Sequence, residues 1–346
     1  MGGSKIVSLA IVSVAWLGLF AMGCAPVATA PTAAPATPVP KTKLQVAFST
    51  LSTQPALMWV AKDAGFFDQN GLDVQLVFID GGTKTAQALL SQDVQFAFLS
   101  PDSLVNANAG GADMVILAGL MNKPYYDLVV TADIKTAADL KGKKVAVSGF
   151  SGSSYSAAKI AVRDLLKLDP DKDVVMVATG NQQQREAALL SGQIQASVMD
   201  PDAELALQKE GLVILDSLWN KNIAFQHNVI GASKAYVQQN QDTTVRLLKA
   251  LIQATGYFRS PESKEKVMGI IGKNLKNEDR AFQETAYNRM AQGVLQCVPY
   301  ATLESMKTII AESKAAVAKG ITTDSVVDNS FVQSLEANGF VKANCK

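Results

Sequence analysis

A Gly/Ser loop in which five small residues flank a single aromatic one lies at Gly149-Phe150-Ser151-Gly152-Ser153-Ser154, and Tyr155 follows it. Small side chains let backbone N–H groups approach a bound molecule, and a helix starting there would favour negative charge. The same serines could simply cap that helix. Thr50, Ser52, Thr53 and Gln54 offer a similar polar array at the end of the first expected strand. Gly82 offers another close backbone approach. Ser100 and Asp102 stand in Ser-Pro-Asp-Ser, and Asp200 in Met-Asp-Pro-Asp. A carboxylate at Asp102 or Asp200 that faced a crevice would select a cation, an amine or another hydrogen-bond donor, and either could instead be a helix cap. Arg163 and Arg185 fall on expected helices and read as solvent-facing, so no arginine fork for an anion is evident. The aromatic rings of Trp59, Tyr125, Tyr126, Phe150 and Tyr155 are available as walls or as core.

Covalent chemistry has little to work with. The chain has one histidine, His227, no Gly-x-Ser-x-Gly elbow and no phosphate-binding loop. Two cysteines and one histidine without ligand spacing make no metal site, and no cofactor is implied. The net charge of +1, with no basic block, argues against nucleic acid.

The elements around these loops alternate. Leu44–Phe48, Asp73–Ile79, Val94–Leu99 and Met114–Ala118 have strand patterns, with helix-like stretches at Pro55–Ala64 and from Gly82 to Leu90. A second run has strands at Lys143–Ser148, Val174–Ala178, Ala196–Met199 and Val213–Leu215. Helices are expected between them at Tyr155–Lys167, Gln182–Ser191 and Asp202–Glu210, and nearly everything after Ser233 has a helical pattern. This rhythm predicts an α/β fold of mostly parallel sheets covered by helices. In such sheets ligands lie beyond the carboxyl ends of strands, which singles out the loops 49–54, 81–83, 100–103, 149–155 and 200–202.

The N-terminus has its own logic. Lys5 precedes an uncharged run from Ile6 to Met22, marginal for a membrane span but suited to a secretory signal. Small residues lead to Cys24 in a pattern that resembles a bacterial lipobox, with Ala21 where leucine is usual. Residues 1–23 are therefore expected to be a signal peptide and Cys24 the acylated anchor. Residues 24–42, rich in Ala, Pro and Thr, form an extended tether. With Cys24 set aside, Cys297 and Cys345 make an even pair in an oxidising compartment, and a disulfide is expected.

Two stretches are distinctive: Ala61-Lys62-Asp63-Ala64-Gly65-Phe66-Phe67-Asp68-Gln69-Asn70-Gly71-Leu72-Asp73-Val74, and Leu140-Lys141-Gly142-Lys143-Lys144-Val145-Ala146-Val147. With Leu89–Phe98 and Leu189–Val198 they resemble the solute-binding proteins of ABC importers, in the group that binds nitrate, sulfonates, taurine and thiamine precursors. The resemblance runs from Leu44 to about Lys319. It implies a two-lobed type II periplasmic-binding-protein fold with a hinge and a ligand cleft between lobes. One lobe would comprise 43–129 plus 230–346 and the other 130–229, with crossings near Leu128–Thr131 and Asn228–Gly231. The implied protein is a monomer outside the cytoplasm, lipid-anchored to the membrane, that hands a sulfonate, carboxylate or pyrimidine-like solute to a permease. A lipoprotein that senses its ligand for a separate membrane partner is the alternative.

Overall fold

A computed structural model describes residues 40–345, so the expected signal peptide, the acylation of Cys24 and nearly all of the tether lie outside the described residues. The strands in chain order are β1 (Thr42–Phe48), β2 (Leu72–Phe78), β3 (Phe96–Leu99), β4 (Met114–Met121), β5 (Asp127–Val130), β6 (Lys144–Val147), β7 (Val175–Ala178), β8 (Ala196–Met199), β9 (Val213–Ser217) and β10 (Asn228–Ser233). They form two five-stranded sheets, ordered β2-β1-β3-β10-β4 and β7-β6-β8-β5-β9. Within each, the helix-linked strands pair in parallel: β1 with β2 and β3, and β6 with β7 and β8. Each sheet also holds one central antiparallel strand, β10 in the first and β5 in the second.

Burial follows position. The interior strands β3 and β8 are buried along their whole length, and so is β4 at the edge of its sheet, where Val327 bridges to Ile116. The edge strand β2 starts with strict alternation of buried and exposed residues. A two-lobed α/β fold results, with helices over both sheets.

The chain passes between lobes at 122–126 and 218–227. Both passages differ from the crossings expected at Leu128–Thr131 and Asn228–Gly231. Asp127–Val130 is a buried strand held between β8 and β9, so residues up to 129 do not all stay with the first sheet. Asn228 and Val229 already pair with β4 of the first sheet. An apolar segment leaving one sheet completes the next one because its backbone groups need partners on both sides.

After β10 the chain is helical. The helix Gln241–Arg259 buries Leu247, Leu248, Leu251, Ala254 and Phe258, a face recurring every three or four residues, in the core of the first lobe. The last helices return to this core, and Cys345 is bonded to Cys297 with 5.4 Å between Cα atoms. The expected disulfide is present.

Candidate functional site

Eight chain segments converge on one cavity of about 310 Å³ between the lobes. Six follow the carboxyl ends of β1, β2, β3, β6, β7 and β8, the seventh is the crossing segment at Tyr126, and the eighth is the start of β10, which runs the other way. An antiparallel strand presents its first residue at the end where parallel strands present their last. This geometry puts Asn228 beside Ser100 and Gln54 in the wall.

Four helices begin at this cavity: Gly82–Leu90, Pro101–Ala109, Ser153–Ile160 and Gln182–Leu190. Only the last is capped by a side chain, Asn181, which accepts from the N–H of Gln184 at 3.1 Å. The other three have no side-chain cap. The serines that could have capped Ser153–Ile160 are engaged elsewhere. Ser154 Oγ accepts from the Ser148 N–H at 2.9 Å, and Ser153 Oγ pairs with the Tyr126 hydroxyl at 2.9 Å. N–H groups without a partner at the starts of Gly82–Leu90 and Ser153–Ile160 therefore border a shared polar space, where they favour an oxyanion; at the third start Pro101 has no N–H and that of Ser103 donates to Ser100 O at 3.2 Å.

Glycine is required at two places. Gly180 has φ +100°, and a Cβ there would also strike the Gln184 side chain. A Cβ on Gly82 would strike Ser103, so only glycine lets these two helix starts pack together.

Of the residues singled out from sequence, Thr50, Gln54, Gly82, Ser100, Ser151, Ser153, Ser154 and Asp200 line this cavity. Asp102, Phe150 and Tyr155 do not; they border a separate interlobe groove with Lys159 and Glu312. The Asp102 carboxylate is turned into a helix contact, accepting from Ser100 Oγ at 2.6 Å and from Ser156 Oγ. It joins the lobes rather than facing solute. The Phe150 ring is 57% exposed and lies edge-on to Tyr155 at 5.5 Å. Tyr155 in turn carries the Lys159 ammonium over its face.

Arg185 departs from expectation. It is 4% exposed and lines the cavity wall, where its guanidinium donates to Gly180 O at 2.7 Å, Val198 O at 3.3 Å and Ser197 Oγ at 3.1 Å. A signal existed: Ala188 and Leu189, three and four residues on, share its buried helix face. Arg163 is half-exposed, as expected, but reaches Glu312 at 2.7 Å across the lobes. Tyr126, Asn181, Gln182, Ser148 and Lys84 also line the cavity and were not singled out as binding residues. Lys84 is exposed at the rim and forms no ion pair among the described residues.

Buried carboxyls dominate the electrostatics beside the cleft. Burial raises Asp200 to about 6, against hydrogen bonds from Ser52 and Gln54 and the charge of Arg185. Asp202 rises to about 8, first through burial and then through the charge of Asp200. It accepts from both Thr53 and Tyr125, and so links the first lobe and the crossing segment to the second lobe. His227 is pushed down to about 3 by burial and stays neutral, accepting the Tyr125 N–H at Nδ1.

Asp202 makes stability depend on pH. Its folded pKa lies above the unfolded value of about 3.9, so the folded state holds the proton more tightly. The stabilisation is complete below about pH 4 and is lost as pH rises towards 8, at about 1.4 kcal/mol per pH unit. Urea unfolding at pH 6 and pH 8 should therefore show lower stability at pH 8. Asp202→Asn should flatten that difference, and parallel profiles for the two proteins would contradict the assignment.

The family model described as NMT1/THI5 like matches residues 52–263. YtlA of Bacillus subtilis, a binding protein by name, is 28% identical over 254 residues, covering 72% of this chain and 75% of its own. Two solved structures share the fold. The alkanesulfonate-binding protein SsuA of Xanthomonas axonopodis pv. citri has TM-score 0.68 at 16% identity, with 83% of this chain and 96% of that one covered. The nitrate-binding protein NrtA of Synechocystis PCC 6803 has TM-score 0.71 at 16% identity, covering 86% and 89%. All three are binding proteins by name, not enzymes.

Proposed function

Because the chain belongs to the NMT1/THI5-like family, we propose that it is the extracytoplasmic solute-binding component of an ABC importer. It captures a small polar organic solute bearing an oxyanion, such as a sulfonate or carboxylate, between its lobes and delivers it to a permease. The observation that carries this reading is the convergence of two uncapped helix starts, at Gly82 and Ser153, on one hydroxyl-lined interlobe cavity. Such a site supplies backbone donors and positive helix ends without needing an arginine fork. Its volume sits at the small end of ligand pockets.

The lobes meet around this cavity. Gln54 donates to Asp200 at 2.7 Å, Thr83 pairs with Ser151 at 2.8 Å, and Ser103 donates to the carbonyl of Ser151 at 3.3 Å. In this reading the crossings at 122–126 and 218–227 are the hinge, and closure around solute presents both lobes to the permease.

A thermal-shift screen against sulfonates, nitrate, aromatic carboxylates, pyrimidines and amines tests capture. A ligand that binds only the folded state at a hundred times its Kd stabilises it by about 2.7 kcal/mol. A saturable shift with one oxyanion class is expected. Turnover of any solute into product would overturn the reading.

The protein acts as a monomer held to the membrane through lipid on Cys24. No helix among the described residues is long and apolar enough to cross a membrane. Cys24→Ser should move the protein from the membrane fraction to the soluble one. Retention on membranes after that change would reject the anchor.

A further inference from the structure

We propose that the lobes close together with uptake of a proton by the carboxyl pair Asp200–Asp202, so that the grip on solute loosens as pH rises. This rests on the hinge reading above and adds the proton to it as a second effector of closure.

Three carboxyl groups of the second lobe share one small space. Asp200, Asp202 and Glu186 wall a cavity of about 220 Å³, which Leu51, Leu275 and Phe282 of the first lobe bound from the other side. Asp200 and Asp202 are buried there. Asp202 ties the lobes, since one oxygen accepts from Thr53 of the first lobe and the other from Tyr125 of the crossing. Asp200 accepts from Gln54 of the first lobe at 2.7 Å. The two guanidinium groups whose charge the pair feels are engaged elsewhere. Arg289, at the end of the helix Arg280–Arg289, donates to Glu204 at 2.5 Å and lies over the Trp219 ring. Arg185 donates to Gly180, Val198 and Ser197. Asp127 at the start of β5 adds a further negative charge facing Asp202.

Carboxylates taken out of water without a counter-ion favour the protonated form. With the lobes apart, the first-lobe wall withdraws and both carboxyls meet water, where their pKa is near 3.9. With the lobes closed, burial raises Asp202 to about 8 and Asp200 to about 6. The closed form therefore holds the proton more tightly than the open one. Closure is favoured fully below about pH 4, and for each proton the closed-to-open ratio falls about tenfold per pH unit as pH rises towards the closed-form value. A hydroxyl both donates and accepts, so Thr53 and Tyr125 keep their contacts with a neutral Asp202. Tyr125 itself stays neutral, pushed up by burial and by the charge of Asp202. Where opening is available, the pH dependence acts on the lobes before it acts on folding.

Small-angle scattering of the full chain in its Cys24→Ser form, without solute, at pH 5, 7 and 9 tests this. The radius of gyration should increase from pH 5 to pH 9 while the far-ultraviolet circular dichroism stays constant. Asp202→Asn keeps the shape and the hydrogen-bonding ends of the side chain but cannot ionise, and it should lose most of that increase. Thr53→Val removes the first-lobe tie at almost constant volume, and it should move the increase to lower pH.

A radius equal at pH 5 and pH 9 overturns the proposal, and so does an increase that comes with loss of helical signal, which is unfolding. The full increase retained in Asp202→Asn overturns the part of the carboxyl pair. If that variant does not fold, the position of the increase in Thr53→Val decides, and an unmoved position overturns it equally. The scattering uses no solute, so its failure leaves capture to the thermal-shift screen, and failure of the screen leaves the proton linkage standing.

Discussion

Replacing Cys297 and Cys345 together by serine is expected to lower stability by about 4 kcal/mol, the loop-closure value for a ring of this length. The bridge spans 48 residues of sequence and ties the final helix to the segment after residues 290–294. Without it, the unfolded chain regains the freedom that the ring removes. Cys345 is nearly buried in the first lobe's core, beside Val341 and Leu335. Serine there adds a polar group to an apolar contact. In a body of some 300 residues, this should appear as a fall in melting temperature of about 6 °C. Reduction of the native protein with a thiol should reproduce most of it. A double-serine variant that melts with the parent would show that the C-terminal helices dock without covalent help.

The second large effect belongs to Glu312, at the end of the helix Leu303–Glu312. Its carboxylate has a side-chain exposure of 7% and bonds Lys159 at 2.9 Å and Arg163 at 2.7 Å, both in the other lobe. Lys159 is almost as buried, at 10%. Removing one partner of a buried pair costs about 3–5 kcal/mol, because the remaining charge is left without water or counter-ion. Here the protein has an escape that a core ion pair lacks. In the hinge reading proposed above, opening the lobes returns Lys159 to solvent, so the cost is felt by the closed state more than by folding.

Glu312→Ala should therefore enlarge the radius of gyration of the unliganded protein in small-angle scattering, with little change in melting temperature. Ligand affinity should weaken at least tenfold, since binding must then also restore closure. Combining Lys159→Met with Glu312→Leu should recover much of the closure by filling the interface with apolar contacts. Scattering and affinity equal to the parent's would deny the pair any part in closure.

Much of the fold could be read from local pattern. Strand and helix periods, and the turns after β1, β2, β3, β6 and β8, depend on residues close in sequence. Because ligand loops follow strand ends in parallel sheets, this alone located eight of the cavity-lining residues, from Thr50 to Asp200. The cysteine pair was legible for a different reason: parity and compartment restrict the choices before geometry does.

The tertiary structure decided the rest, for a common physical reason. Whether a polar side chain meets solute, solvent or another helix depends on elements distant in sequence. Asp102 lies at a strand end like Asp200, but Ser156, 54 residues away, takes its carboxylate into a helix contact. Asp200 stays in the cavity wall, held by Gln54, whose amide Asn228 orients in turn. Arg185 is drawn from solvent into the cavity wall by carbonyls of Gly180 and Val198. The crossings moved because β5 and β10 find hydrogen-bond partners only once both sheets exist. The amino-acid sequence by itself determined which elements form and which ends carry polar loops. Packing determined which of those polar groups line the cavity between the lobes and which are consumed by contacts with elements distant in sequence.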